Sequence, residues 1–547
     1  MSFSHPIQRA VLACLATASL VVAVPAGASD APLPTFAELE AQGAIIGRID
    51  VRSENIFDTE KPEENNALFR LANRLHIQTK PETILRALLF KRGQRISARV
   101  IEETERQLRG HNYLYDVRIT PLAVRNGIVD IEVAVRDTWT LEPNVRASRT
   151  GGRNTTGFGL REQNLLGTGV SVSLAHKRDV DRSSNTVEVL DEHAFGGHTN
   201  VAYSFSDNSD GRRHAASVVR PFYELDARWA AGASIVSDDR IDPLYANGKI
   251  ATEYRHKEVI GDVFAGWSRG LVDGWTQRYS IGLRSEEQRY RQAPDRVATP
   301  GLPGDQIDVA PYFRLELIED NFERTMNRNQ VRRTEYFQRG LTATMQIGRA
   351  MKSLGSTDDR WIYSASLSRG FSPVSGQDLF ANASLSGRYG NGKVERQAVG
   401  AAMQYYAPIA RHWLAYGSLT VDALTRPAPG DLLTLGGDTG LRGFPLRFQT
   451  GEHRALMTLE ARAYSDIYVF SLFRLGAAVF YDIGSVWGGQ WAEHDSPEWL
   501  QDVGIGLRIF STRSAQGTVL HADVATPINR PEGAKGVQFL LKTRTSF

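Results

Sequence analysis

Hydrophobic positions along this chain fall into two regimes, with the change near residue 138. From residue 45 to about 135 helix and strand periods alternate. Residues 45–57 predict a strand and 65–77 a helix. Ile84, Leu85, Leu88 and Leu89 then recur at helical spacing. They follow Thr79-Lys80-Pro81-Glu82, read as a capping box whose hydroxyl and carboxylate satisfy orphan backbone donors. A further helix is predicted over 97–109, stopping at a left-handed Gly110. Two strands come next, one carried by Tyr115, Val117 and Ile119, the other by Val129, Ile131, Val133 and Val135. Between them Arg125-Asn126-Gly127 predicts a hairpin turn.

After Thr138-Trp139-Thr140 the helical period gives way to short alternating segments punctuated by glycine. Leu475, Ala477, Val479, Tyr481 and Ile483 would face one way, and Arg474, Gly476, Ala478, Phe480, Asp482 and Gly484 the other. Val503, Ile505, Leu507 and Ile509 repeat the rule, as do Val537, Phe539 and Leu541. No run of 18 apolar residues follows residue 28, which excludes a helical membrane protein but leaves a membrane β-barrel open. A β-sandwich would alternate in the same way. Some four hundred residues at roughly 9–11 per membrane strand, plus connections, supply about 14–18 strands, more than a sandwich carries. The expected fold is therefore mostly β: a transmembrane antiparallel β-barrel of about 16 strands over 143–547, behind a small α+β domain at 45–137. Residues 29–44 read as a linker or short lead-in helix.

Composition narrows the picture little. The 64 Lys+Arg against 62 Asp+Glu leave a net charge of +2 over 547 residues, with no basic surplus for nucleic acid. Residues 1–28 carry the marks of an export signal peptide: Arg9, an apolar run over 10–24, and Ala26-Gly27-Ala28 as a cleavage site. Removing them takes away Cys14, the one cysteine, and closes cysteine chemistry to the mature chain.

Two sets of residues point to a known family. Lys91-Arg92-Gly93-Gln94, Leu108-Arg109 and Tyr113-Leu114-Tyr115-Asp116-Val117, on a β-α-α-β-β order, resemble a POTRA domain. Gly436-Gly437-Asp438-Thr439-Gly440-Leu441-Arg442-Gly443-Phe444 resembles the inturned loop of the BamA, TamA and two-partner-secretion superfamily. Three more segments match that superfamily in order: Asn164-Leu165-Leu166-Gly167-Thr168-Gly169 as an early-barrel hairpin, Phe480-Tyr481-Asp482-Ile483-Gly484-Ser485-Val486-Trp487, and Asp502-Val503-Gly504-Ile505-Gly506-Leu507-Arg508. The resemblance implies that Arg442, with Gly443 and Phe444, is drawn into the barrel and meets Glu460 and Asp482. A buried guanidinium needs such carboxylates, and both lie on the inward parity. Asn164, Gly167 and Gly169 would shape the early hairpin. Phe539 and the final Phe547 would form the terminal-strand signal read by the barrel assembly machinery that inserts such proteins.

The resemblance also implies a weak seam between a short first strand near 144–149 and a last strand over 537–547. A bacterial outer-membrane location follows, with the N-terminal domain in the periplasm. The expected partners are the lipid bilayer and an unfolded or extended protein client, added to the edge of the POTRA-like sheet. The expected function is insertion or secretion of that protein client, or of a lipid, through the barrel or its seam, without cofactor, metal or catalysis. The alternative is a passive channel or structural barrel. Gly266-Trp267-Ser268-Arg269-Gly270 matches a nucleophile elbow but sits in an alternating segment, where that elbow needs a strand-to-helix turn.

Overall fold

The computed structural model describes residues 33–547, except 247, 331–333, 471, 490–491, 493–495, 513–518, 535 and 545–547. The expected export segment 1–28 and Phe547 lie outside the described residues.

The N-terminal domain opens with α1 (Phe36–Ala41), capped reciprocally by Thr35 and Glu38, then β1 (Ile45–Glu54), α2 (Ala67–Leu75), α3 (Pro81–Ala87) and α4 (Ala98–Gly110). It closes with β2 (Leu114–Arg125) and β3 (Ile128–Asp137). The sheet order is β1-β3-β2, with β1 parallel and β2 antiparallel to the central β3. Val129, Ile131, Val133 and Val135 project from β3 into a core shared with Ile84, Leu108 and Val117. Asn126 and Gly127 make the β2–β3 turn with positive φ, as predicted.

Two local expectations fail here for identifiable reasons. Lys80, not Thr79, stands at the N-cap of α3, and no side chain caps it. Pro81 begins the helix with a preset φ, while the N–H and hydroxyl of Thr79 both go to the buried Asp137 carboxylate, at 2.8 Å each. Gly110 remains helical, because α4 ends at an extended His111.

The remaining strands run β4 (Leu141–Thr150), β5 (Arg153–Glu162), β6 (Ser171–Arg178), β7 (Ser183–Ala194), β8 (Thr199–Asn208) and β9 (Gly211–Arg220). Next are β10 (Trp229–Ala246), β11 (Lys249–Val272), β12 (Trp275–Gln292), β13 (Gln306–Glu319), the short β14 (Phe322–Met326) and β15 (Thr334–Gln338), and β16 (Thr342–Ala350). Then come β17 (Arg360–Phe371), β18 (Asp378–Gly390), β19 (Lys393–Ala410), β20 (Trp413–Thr425) and the short β21 (Leu433–Leu435) and β22 (Gln449–Gly451). The last are β23 (His453–Val469), β24 (Phe473–Trp487), β25 (Leu500–Ser511), β26 (Val519–Pro527) and β27 (Gln538–Arg544). All except the pairs β14–β15 and β21–β22 close into one antiparallel barrel of 20 strands.

The expected count of about 16 strands is thus too low. The estimate allowed every strand a sizeable connection, whereas many turns are only two residues long, such as 151–152, 209–210, 273–274, 391–392 and 411–412. The alternation itself holds. Val479, Val503, Ile505, Leu507 and Phe539 are exposed on the outside, while Phe480, Asp482 and Arg508 are buried inside. Among the described residues no helix is long and apolar enough to cross a membrane. Ser268 lies within β11, where its Oγ accepts from the Gly270 N–H.

The domain sits against the barrel turns that follow β5, β7 and β9. Glu103 on α4 accepts the Leu225 N–H at 2.9 Å, Gln107 donates to the Tyr223 carbonyl at 2.7 Å, and Arg99 pairs with Asp226. The turn 195–198 adds His198, whose ring stacks on Tyr223 with centroids 3.8 Å apart. Burial, helped by the charges of His193, Arg220, Lys91 and His111, pushes the His198 imidazole down from 6.5 to about 4. A depressed folded value means the docked state favours neutral His198. Its contribution is whole above pH 6.5 and disappears as pH falls through about 4. Protection of the 221–228 amides, after allowing for the intrinsic slowing of exchange in acid, is expected to fall over that window, and His198→Gln to flatten the pH dependence.

Candidate functional site

The connection between β20 and β23 does not stay outside the barrel; it folds back into the lumen and carries Arg442 to the wall. Arg442 grips Asp482 with two parallel bonds, Nε to Oδ2 at 2.7 Å and Nη2 to Oδ1 at 2.9 Å, and reaches Glu460 Oε1 through Nη1 at 2.8 Å. Its guanidinium lies over the Phe480 ring, 3.4 Å from the centroid. Thr458 donates a further hydroxyl to Asp482, and Arg462 takes the second Glu460 oxygen, each at 2.8 Å. The planar fork thus meets its matching carboxylate, and both anions are shared with a second donor.

The neighbouring glycines allow this approach. The Gly443 N–H donates to Asp502 at 3.0 Å, and a Cβ there would stand 2.6 Å from that of Asp502. Gly440 has φ +132, and a Cβ on it would meet Leu456 at 2.3 Å. Phe444 is fully buried among Leu435, Leu441, Phe448, Val486 and Leu500, which anchors the loop by packing as well as by charge. All five residues expected in the latch, Arg442, Gly443, Phe444, Glu460 and Asp482, therefore converge.

Several partners of the loop escaped sequence reasoning because topology alone brings them close. Arg447 pairs with Asp181 at 2.7 and 3.0 Å and lies over Tyr245. The Leu446 N–H donates to the carbonyl of Gly151, in the β4–β5 turn, at 3.3 Å. Lys542 on β27 donates to the Gly437 carbonyl at 3.0 Å. The loop consequently touches β27 and the turn that leads out of β4.

At the closure of the barrel β27 meets β4, and among the described residues Leu541 stands opposite Arg149. The first strand is longer than expected, ten residues at Leu141–Thr150. Phe539 faces outward on β27.

The early-barrel motif turns out to be the docking point of the N-terminal domain. Asn164 accepts the Gly169 N–H at 2.6 Å and donates to Thr79 at 2.7 Å, which in turn holds Asp137. The Gly167 carbonyl accepts from the Lys80 N–H at 3.0 Å and the Thr83 hydroxyl at 2.8 Å. Gly167 has φ +75, and a Cβ would lie 2.4 Å from the Gln78 carbonyl oxygen. Its glycine is dictated by the domain pressed against it.

A second inturned element enters from the end bearing the domain. The β14–β15 hairpin seats Arg328 on Asp378, and its Arg328 carbonyl accepts the Tyr464 hydroxyl at 2.9 Å and Arg462 at 3.4 Å. Phe337 stacks on Phe380, and Arg106 of α4 lies over Phe322 at 3.8 Å. Among the described residues no group of three or more potential metal ligands forms; Asp523 is taken by Arg508.

With this geometry, the Omp85 superfamily domain matches residues 144–547 of the 547. The chain belongs to the Omp85 superfamily. Barrels of this superfamily work in the bacterial outer membrane with protein clients or partners. No curated protein matches the chain. Among solved structures, BamA from Haemophilus ducreyi lacking POTRA domains 1–3 is 16% identical, with a TM-score of 0.39, over 91% of this chain and 84% of that one. CdiB from Acinetobacter baumannii is 12% identical, with a TM-score of 0.47, over 92% and 73%. CdiB from Escherichia coli is 13% identical, with a TM-score of 0.46, over 92% and 76%. Membership of the superfamily rests on the matched domain.

Arg442→Ala leaves two buried carboxylates short of their main cation, so the barrel should lose about 3–5 kcal/mol. The heat-modified shift on gels is expected at a lower temperature than in the native protein. Arg442→Lys, which keeps the charge but not the fork, should fall between the two.

Proposed function

We propose that this Omp85 barrel receives an extended protein client in the periplasm and delivers it into or across the outer membrane through the seam between β4 and β27. The observation that carries this is the closure of the barrel by its first strand against its last, β4 on β27, with Leu541 opposite Arg149 among the described residues. The Arg442 loop supports the same scheme, because it holds Gly151 beside β4 and Lys542 on β27 from within.

The N-terminal domain acts in this scheme as a POTRA-like receiver. Its β2 pairs with β3 on one side only among the described residues, which leaves an edge for an extended segment to join. The scheme includes no catalytic step and no cofactor.

Arg149→Cys with Leu541→Cys places two thiols directly opposite each other at the seam, in a mature chain with no other cysteine. Facing residues in an antiparallel pair suit a disulfide. The oxidised barrel should lose most of its ability to restore the outer-membrane or secreted proteome of a deletion strain, and reduction should recover it. Full activity of the locked barrel would sink the seam route and favour a passive channel.

A further inference from the structure

Helix α2 has three faces of different character. Phe69 and Asn73, four residues apart, point inward. Phe69 stacks on Phe57 with centroids 3.9 Å apart, and Asn73 exchanges two hydrogen bonds with the Phe57 backbone, at 3.1 and 2.8 Å. Asn66 caps the helix through the Phe69 N–H at 2.9 Å. The helix is thus fixed to its domain. Leu68, Leu71 and Leu75 share a second face at i, i+3 and i+7 and are 65, 48 and 64% exposed; Ile77 just beyond is 52% exposed. Arg70 and Arg74 form the third, exposed and cationic.

The cluster that holds α2 does not end within the domain. Trp139, which leads into β4, and Leu472, in the turn between β23 and β24, both pack on Ile56, Phe57 and Phe69. That turn lies at the domain-bearing rim of the barrel. Its Phe470 is 81% exposed and Ile467 beside it 56%, continuing the apolar exterior that the barrel shows to lipid.

We propose that the Leu68, Leu71 and Leu75 face of α2 lies in the periplasmic leaflet of the outer membrane, with Arg70 and Arg74 on anionic phospholipid headgroups. Continuity decides the occupant: the leucine stripe and the lipid-facing rim meet across one hydrophobic cluster. The charge agrees, since arginines flanking an apolar stripe are what an interfacial helix presents to anionic lipid. The proposal draws on the membrane setting of the barrel and not on the route of any client.

The test uses the full-length barrel in vesicles, with a polarity-sensitive fluorophore on Leu71→Cys or Leu75→Cys, and on Arg118→Cys of β2 as control. Retained heat-modifiable mobility certifies each variant as folded. In phosphatidylethanolamine–phosphatidylglycerol vesicles, nitroxide-labelled lipid should quench both α2 labels and spare the control, while aqueous iodide should do the reverse. Arg70→Ser or Arg74→Ser should lower the ratio of lipid to water quenching by about fivefold each, an effect absent when phosphatidylcholine replaces phosphatidylglycerol. Iodide quenching of the α2 labels equal to the control would overturn the proposal. So would protection from both quenchers, which would mean that protein covers the stripe.

Discussion

A guanidinium drawn into the wall of a barrel has to be answered by carboxylates already there, and the arrangement around Arg442 follows from that demand. Asp482 and Glu460 stand on adjacent strands with their side chains inward, spaced so that one fork spans both. Gly443 lies against Asp502 because a loop that delivers Arg442 this deep leaves no space for a Cβ. Phe444 then falls among apolar side chains at the loop base. Once the charge is set, the rest of the loop has fixed reach, and its span brings it to Gly151, Lys542 and Asp181.

Much of this was legible in the residues. Alternation with period two identified inward and outward positions in the strands around 474–484, 503–509 and 537–541, while Asp482 and Glu460 were named by the family resemblance, with which their inward parity agreed. Strand number was not legible, because connection length is weakly encoded in a chain where glycine marks both turns and wall positions. Partners such as Asp181 and Arg447, 266 residues apart, depend on how far round the cylinder each strand falls. Thr79 shows a subtler limit. Its spacing to Glu82 matches a capping box, yet the buried Asp137 carboxylate outcompetes the helix end for its donors. Likewise Asn164 and Gly167 were recognisable as a motif, but only the domain pressing on the turn explains why those residues occupy it.

The barrel's breadth gives the second inturned element a reason. Diameter rises with strand number, so 20 strands enclose more space than one loop can fill. The Arg442 loop occupies it from one end and the β14–β15 hairpin from the other. They meet on neighbouring side chains: Glu460 holds Arg442 with one oxygen and Arg462 with the other, and Arg462 also reaches the Arg328 carbonyl of the hairpin.

That shared pair makes the two stoppers an interlock, much as the doors of an airlock are wired to one another. Arg462 meets the hairpin through Nη1 and Glu460 through Nε, so one guanidinium ties the seat of the lower stopper to the carboxylate that holds the upper.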